Sequence, residues 1–493
     1  MLSTALGLFK KFNKSDIKYC HWKSNEHLKE GLSGTTDLDV LVDRQDRMKC
    51  ENILNNMGYK RFDTPRFVGH PGTEDYIGMD ESSGDLIHIH LHYRLVLGKN
   101  LKQYHIPWES QILNNRVQDE DTGVYRADPH FEIVLFWIRI SIKKRFTSFL
   151  SMNKRTLSKS MYKELEWLKN IVNEDKLRSL IQKLLGQRYV ELIKSLNARS
   201  SSVDLLNLKF KVAKDFKLYR TYPPGLELPI RYARIGKSVA SQVCDTLGLP
   251  YLLRRTAPNG GLVVAVIGAD GSGKSTVTKD LSKCLSWKLN SKRYYLGSRS
   301  GESRSIIKKA LGTFASKATK SGNSDNVEKN MDSNQNENKK SKLHSLLSLS
   351  WKVLYSTADS YDKNRKLKAL WRERNKGGII ITDRYPQNRY PGVNDGPNLH
   401  GLNNNTFLRY ISRYEKTPYE YSEKRHPDIV VKLLVDANVA QSRDPEMKLE
   451  KRREKCRIVE NLRFDDSITI EVNANKSKEE VIRKVKKEVW ECI

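Results

Sequence analysis

The sequence predicts a multidomain α/β protein, with an α+β domain over residues 1–127, a helical domain over 128–256 and a doubly wound parallel sheet over 257–493. Three observations carry this reading. The first quarter of the chain holds short alternating apolar runs broken by turn residues. The middle changes to apolar spacings of three and four with few turn signals, and the last half alternates strand-like and helix-like runs. At 493 residues the chain can fill about two to four separate cores.

Taken in order, Met1 to Lys11 reads as an amphipathic helix. It lacks the long apolar centre and small-residue cleavage site of a signal peptide. The chain also has no apolar run of about eighteen residues, so a cytoplasmic protein without a transmembrane segment is expected. After Lys23-Ser24 and a short helix comes Gly34-Thr35-Thr36-Asp37-Leu38-Asp39-Val40-Leu41-Val42, a turn followed by a strand. Side chains at i and i+2 share a strand face, so Asp37 and Asp39 point together while Leu38, Val40 and Val42 pack behind. Adjacent carboxylates repel unless a cation lies between them, which points to a divalent metal with oxygen ligands, Mg²⁺ in the first instance. Two solvated aspartates at a strand edge is the bland alternative. A helix follows over Arg47 to Met57, then strands over Tyr59 to Gly69 and Tyr76 to Asp80. In Leu86 to Tyr93, strict alternation puts His88, His90 and His92 on one face.

In the middle, Glu132 to Ile142, Lys159 to Val172, Leu177 to Leu185 and Arg188 to Leu196 carry helical spacing. Pro223-Pro224-Gly225 interrupts the pattern, which resumes from Ile230 toward Leu247, and Pro258-Asn259-Gly260-Gly261 marks the next border. The last part predicts strands at Leu262 to Ile267, Arg293 to Leu296, Gly378 to Thr382, Ile429 to Val435 and Ser467 to Val472, with a covering helix over Lys478 to Glu491. Ser316 to Ser341 has too little apolar content to offset its ordering entropy and predicts a disordered insertion.

Two stretches carry recognisable chemistry here. The Leu262 strand enters Gly268-Ala269-Asp270-Gly271-Ser272-Gly273-Lys274-Ser275-Thr276, a complete P-loop. Its glycines let backbone N–H groups curl around phosphates, Lys274 reaches the β- and γ-phosphates and Ser275 is placed to ligate Mg²⁺. The apolar strand from Gly378 ends in Asp383-Arg384, and ligands of open α/β sheets sit at such carboxyl ends. Asp383 is expected in the Mg²⁺ shell and Arg384 on a phosphate. A salt-bridged pair without a ligand is the other reading.

From about 260 to 493 the chain resembles the thymidylate kinase-like branch of the nucleoside monophosphate kinases. The likeness rests on the P-loop at 268–276, Asp383-Arg384-Tyr385, Pro427-Asp428-Ile429 and Val435-Asp436 followed by basic residues. It implies ATP and Mg²⁺ as cofactors, with Gly268, Gly271, Ser272, Gly273, Lys274, Ser275 and Thr276 on ATP. By the same resemblance Asp270 faces the acceptor and Arg384 bridges the two phosphates. Such enzymes supply a catalytic arginine from the P-loop or a mobile lid. Here the loop has Ser272, so Arg443, Arg452 and Arg453 are the candidates. The sequence departs from the family where Ser360 stands in place of a helix arginine, with Arg365 about a turn on, and where Pro386-Gln387-Asn388-Arg389-Tyr390 follows Asp-Arg-Tyr. Base recognition is not evident.

The spacing of Lys23-Ser24 and Asp37-Leu38-Asp39 resembles the nucleotidyltransferase superfamily that includes DNA polymerase beta. That likeness implies a triphosphate turn at Lys23-Ser24, two metals on Asp37 and Asp39, and a third carboxylate on a later strand. Lys23 replaces the family's glycine, and the later strand reads His88-Ile89-His90. Ligation by His90, a reach by Asp85, and loss of transfer with binding retained all stay open.

A net charge of +30, from 88 Lys and Arg against 58 Asp and Glu, exceeds what nucleotide substrates need. It leaves nucleic acid or another polyanion open as a partner beside a merely solvated basic surface, and a homodimer is also left open. The six scattered cysteines suggest neither a zinc knuckle nor a disulfide framework. The leading expectation is therefore ATP- and Mg-dependent phosphoryl transfer to a nucleoside monophosphate, coupled to an N-terminal nucleotidyltransferase-like domain. The alternatives are a kinase for a sugar or glycan-related acceptor and an ATP-switched nucleic-acid-binding or defence protein.

Overall fold

A computed structural model describes residues 1–64, 72–99, 102–144, 157–221, 232, 236, 255–257, 259–297, 334–391, 393, 395–399 and 406–493, with side chains of 334–349 left aside. The chain forms two compact units, the first Met1–Leu247 with Tyr251–Pro258 and the second Gly248–Pro250 with Asn259–Ile493.

In chain order the strands of the first unit are β1 (Tyr19–His21), β2 (Leu38–Val42), β3 (Lys60–Phe62), β4 (Thr73–Met79), β5 (Leu86–His92), β6 (Val96–Lys99), β7 (Lys102–His105), β8 (Val117–Gln118) and β9 (Tyr125–Arg126). They make a mixed sheet in the order β3-β4-β5-β2-β1-β9-β8, with β6 and β7 as a separate hairpin. In the parallel β2–β5 pair Asp39 lies opposite His90, and in the antiparallel β4–β5 pair Asp75 lies opposite the same histidine. One face of the sheet is apolar, with Leu38, Val40, Ile87, Ile89 and Leu91 packed against the Ser3–Lys14 helix residues Ala5, Leu8, Phe9 and Phe12. The other face therefore gathers the polar residues of alternate positions.

The Pro129–Lys143 helix starts with Asp128 accepting from the His130 N–H and proline at its first turn. It is buried nearly all round, as a central core helix should be. Its residues share one core with Trp22 and Leu41 of the sheet region and with helices Lys159–Ile171, Glu174–Leu185, Gln187–Arg199 and Ser202–Asp215. The helical segment read from the sequence as a separate domain thus packs within the first unit, because Trp22 and Leu41, beside the polar residues of that second face, join its apolar core. The Ser202–Asp215 helix has no counterpart in the sequence reading, and the expected helices toward Leu247 lie outside the described residues.

The second unit holds β10 (Leu262–Gly268), β11 (Ser291–Tyr295), β12 (Ile379–Asp383), β13 (Ile429–Leu434) and β14 (Ile468–Asn473), all parallel, in the order β11-β12-β10-β13-β14. Alternate residues of β10 are buried on both sides. Val263, Ala265 and Ile267 meet Leu367, Leu370, Trp371, Leu462 and Phe464, while Val264 and Val266 face the opposite layer. The first strand of the unit lies at the centre, between its third and fourth, so the chain reverses winding beside the end of β10.

Residues 316–333 of the expected insertion lie outside the described set, but a helix already runs from Asn334 to Arg374. Lys, Glu and Gln are good helix formers, and a helix nucleated by its packed end extends at little cost into polar sequence. Among the described residues no helix is long and apolar enough to cross a membrane.

Candidate active site

In the second unit the loop after β10 is shaped by left-handed glycines, Gly271 at φ 86° and Gly273 at φ 91°. A Cβ on Gly271 would lie 2.5 Å from the Ala440 carbonyl oxygen, so no other residue fits the turn unchanged. The helix begins at Lys274, leaving its first N–H groups without intrahelical acceptors at the loop's mouth. Lys274 is buried and its ammonium donates to the Ala269 carbonyl at 2.7 Å. Burial, with Arg384 adding repulsion, pushes its pKa down to about 8.

Asp383 ends β12 and is fully buried. Its Oδ2 accepts from the Ser275 hydroxyl at 2.7 Å, while its Oδ1 has no hydrogen-bond partner among the described residues. An orphaned buried carboxylate oxygen beside a P-loop hydroxyl is a fitting donor set for a hard divalent cation such as Mg²⁺. Arg384 adopts a left-handed φ of 73° and donates to Asp270 Oδ1 at 2.9 Å and Asp395 Oδ2 at 3.3 Å. Lys455, absent from the sequence reading, donates to Asp270 Oδ2 at 2.6 Å. Burial raises the Asp270 carboxyl, but Lys274, Arg384 and Lys455 together hold it well below the usual range. Ser272 is buried under Gly268, and Thr276 lies in the first turn of the helix.

The three arginines proposed from the sequence fare differently. Arg452 is fully buried and donates to the Asp270 carbonyl at 2.6 Å, to Gln441 Oε1 at 2.9 Å and to the Asp444 carbonyl, so it ties the P-loop to residues 441–444. Arg443 donates to the Ala474 carbonyl at 2.8 Å. Arg453 is exposed on the Leu449–Asn461 helix that also carries Arg452. The three do not converge. Ser360 is buried with its hydroxyl on the Glu415 carbonyl at 3.0 Å, and Arg365 points outward beside Asp362 at 3.7 Å. Buried Lys363 lies 3.0 Å from both Asp359 and the Tyr419 hydroxyl.

In the first unit Lys23 and Asp39 meet at 2.8 Å, and His90 Nδ1 and His92 Nε2 each lie 3.2 Å from the same Asp39 Oδ1. Burial raises the Asp39 carboxyl, but Lys23 and the two histidines hold it well below the ordinary value. Burial pushes His92 down to about 3, so that ring is neutral. Asp37 does not share this centre. Its Oδ1 is 2.8 Å from His88 Nδ1, and the other ring nitrogen of His88 is 2.7 Å from Asp75. Burial alone would lower His88, but the two carboxylates raise it. Ser24 stands in the left-handed region and donates to Glu164 at 3.2 Å, and Asn25 is fixed by its backbone N–H and side-chain amide on the two oxygens of Glu132, at 2.9 and 2.7 Å. Burial pushes Glu132 up to about 7.

Sequence reasoning missed His92, Asp75 and Glu132. His92 was visible in the alternation but not tied to Asp39. Asp75 required the β4–β5 register, and Glu132 could have been found as the lone acid inside an otherwise apolar helix. Asp85 lies exposed in the turn before β5.

No family model matches the sequence. The chain is 26% identical over 255 residues to the uncharacterized ATP-binding protein YghR of Escherichia coli (strain K12), covering 50% of this chain and 94% of that protein. It is 27% identical over 238 residues to the ATP-binding protein YghS of the same strain, covering 45% and 89%. Deoxyadenosine kinase from M. mycoides with bound dATP covers 46% of this chain and 98% of its own at 15% identity with a TM-score of 0.26, a likeness too distant to carry an argument. The second unit carries a P-loop at the end of the central strand of a five-stranded parallel sheet, the architecture of a P-loop domain, and the relatives just named are ATP-binding proteins.

Proposed function

We propose that the second unit transfers the γ-phosphoryl group of ATP, in the presence of Mg²⁺, to a nucleoside monophosphate. The observation that carries the reading is the pairing of Ser275 with Asp383 at 2.7 Å while the second Asp383 oxygen stays buried and unpaired. Ser275 and Asp383 would hold Mg²⁺, which supplies charge neutralisation on the transferring phosphates. The loop N–H groups and Lys274 would cradle the β- and γ-phosphates, and Arg384 would exchange its carboxylate partners for phosphate oxygens as donor and acceptor come together. Asp270 would then orient the acceptor side.

A second acceptor class, a sugar or glycan-related hydroxyl or phosphate, is favoured by one observation. Ser360 is built into the fold where thymidylate kinases carry arginine, and Arg365 faces away. In the first unit, residues 1–127 would form a nucleotidyltransferase-like region that processes or senses nucleotides, with the helices of 128–256 contacting base or acceptor. The test is transfer of label from γ-labelled ATP across nucleoside monophosphates and phosphorylated and free sugars. Phosphorylated product made by the wild type and absent with Lys274→Ala supports the reading. ATP binding with no transfer to any acceptor, but with steeply salt-dependent capture of RNA or DNA, would replace it with an ATP-switched binding protein.

A further inference from the structure

Asp39, His90 and His92 bring one carboxylate oxygen and two ring nitrogens within 4.8 Å of one another. Both nitrogens lie 3.2 Å from the same oxygen. In a tetrahedral site with bonds of about 2.0–2.1 Å, neighbouring ligand atoms are roughly 3.3 Å apart, so both nitrogen–oxygen separations already match such an edge, and the two nitrogens, within 4.8 Å of each other, need only a small side-chain adjustment to close the third. The side chains come from adjacent parallel strands whose register sets Asp39 against His90, so backbone hydrogen bonds fix their spacing. His92 is 2% exposed, whereas Asp39 and His90 retain side-chain exposures of 16% and 19%. The site is closed toward the core and open on one side.

We infer that Asp39, His90 and His92 form a site for a single transition-metal ion of the zinc class, with one coordination position left for an outside ligand. The donor set decides the class. Mg²⁺ prefers oxygen ligands and water, whereas two imidazoles with one carboxylate suit Zn²⁺, Co²⁺ or Fe²⁺. Asp37 pairs with His88 and stands outside the cluster of Asp39, His90 and His92. Lys23 is the built-in competitor. Its ammonium lies 2.8 Å from the same Asp39 oxygen and its side chain is 25% exposed, so it can swing outward when an ion binds. This inference is independent of phosphoryl transfer in the second unit.

The test uses the full chain, stripped with a chelator and dialysed against Zn²⁺, Co²⁺ or Mg²⁺ separately. The expected result is about one equivalent of Zn²⁺ per chain retained over excess Mg²⁺. Bound Co²⁺ should show visible absorption of tetrahedral intensity without a thiolate charge-transfer band. His90→Ala, which is partly exposed and spares the core, should weaken binding by more than about tenfold, with Asp39→Asn as a second variant should the first fold poorly. Lys23→Ala should bind more tightly than wild type, and Lys274→Ala should bind as wild type does. No retained Zn²⁺, undiminished Zn²⁺ in both folded His90→Ala and Asp39→Asn, or a thiolate band in the Co²⁺ form would overturn the inference.

Discussion

Replacing Arg452 by alanine separates a brace from a catalytic arginine. The side chain is fully buried and donates to the Asp270 carbonyl, to Gln441 Oε1 and to the Asp444 carbonyl. A hydrogen bond from a charged group contributes about 1.5–3 kcal/mol, but the three cannot be summed because they share one side chain. Breaking a buried charged cluster by removing one member costs about 3–5 kcal/mol, and that is the expected loss. For a unit of this size each kcal/mol lowers Tm by about 2–4 °C, giving a fall of about 6–20 °C. Lysine at the same place keeps the charge but cannot reach all three acceptors, so Arg452→Lys should fall between alanine and wild type. The assay is thermal unfolding beside ATP binding and phosphoryl transfer at a temperature where the variant is folded. The brace reading predicts a lowered Tm together with weakened ATP binding, since the P-loop loses its tie at the Asp270 carbonyl. A Tm within about 2 °C of wild type with a roughly thousandfold loss of kcat would refute it and return Arg452 to the transferring phosphoryl group.

Asp383→Asn removes the only charge at the expected Mg²⁺ ligand while keeping its shape, and should lower turnover by about 100- to 1000-fold with a raised Mg²⁺ requirement. A Mg²⁺ titration of initial rates that overlays wild type would contradict that. Gly271→Ala combines a left-handed φ with a Cβ 2.5 Å from the Ala440 carbonyl, so it should cost roughly 1–3 kcal/mol and impair ATP binding, checked by melting with and without ATP. Glu132 is pushed up from an ordinary 4.5 to about 7, so its neutral form is favoured on folding. That stability is fully present below pH about 4.5 and is lost as pH rises through about 7, a swing of about 3 kcal/mol. Glu132→Gln should flatten it, which denaturant unfolding at pH 5 and pH 8 would register, and parallel profiles for the two proteins would count against the assignment.

The P-loop was legible because glycine, lysine and hydroxyl spacing after an apolar strand leaves few structural solutions, and β10, β12 and β13 were legible as short apolar runs, whereas β11 (Ser-Lys-Arg-Tyr-Tyr) and the alternating β14 were read from their place between helical stretches. The Asp383–Ser275 contact is in line with the rule that ligands gather where strand ends converge at the switch point, although the pair is 108 positions apart in the sequence. What escaped the sequence was pairing across strands and helices. Alternation put three histidines on one face, but only the β2–β5 and β4–β5 registers show that His90 and His92 take Asp39 while His88 takes Asp37 and Asp75. Arg452 looked like its exposed neighbour Arg453 because a charged helix stretch carries no mark of which residue faces inward until the packing partner is known. The helices after Pro129 seemed a domain of their own because periodicity reports an apolar stripe and not what covers it.

The most direct test of the central claim follows ATP labelled separately at its α- and γ-phosphates with Mg²⁺ and a panel of acceptors, in wild type and Lys274→Ala. The account predicts γ-label on an acceptor, abolished in the variant, whatever becomes of the α-label. Tight ATP binding with no γ-label transferred to any acceptor, in wild type and variant alike, would contradict it.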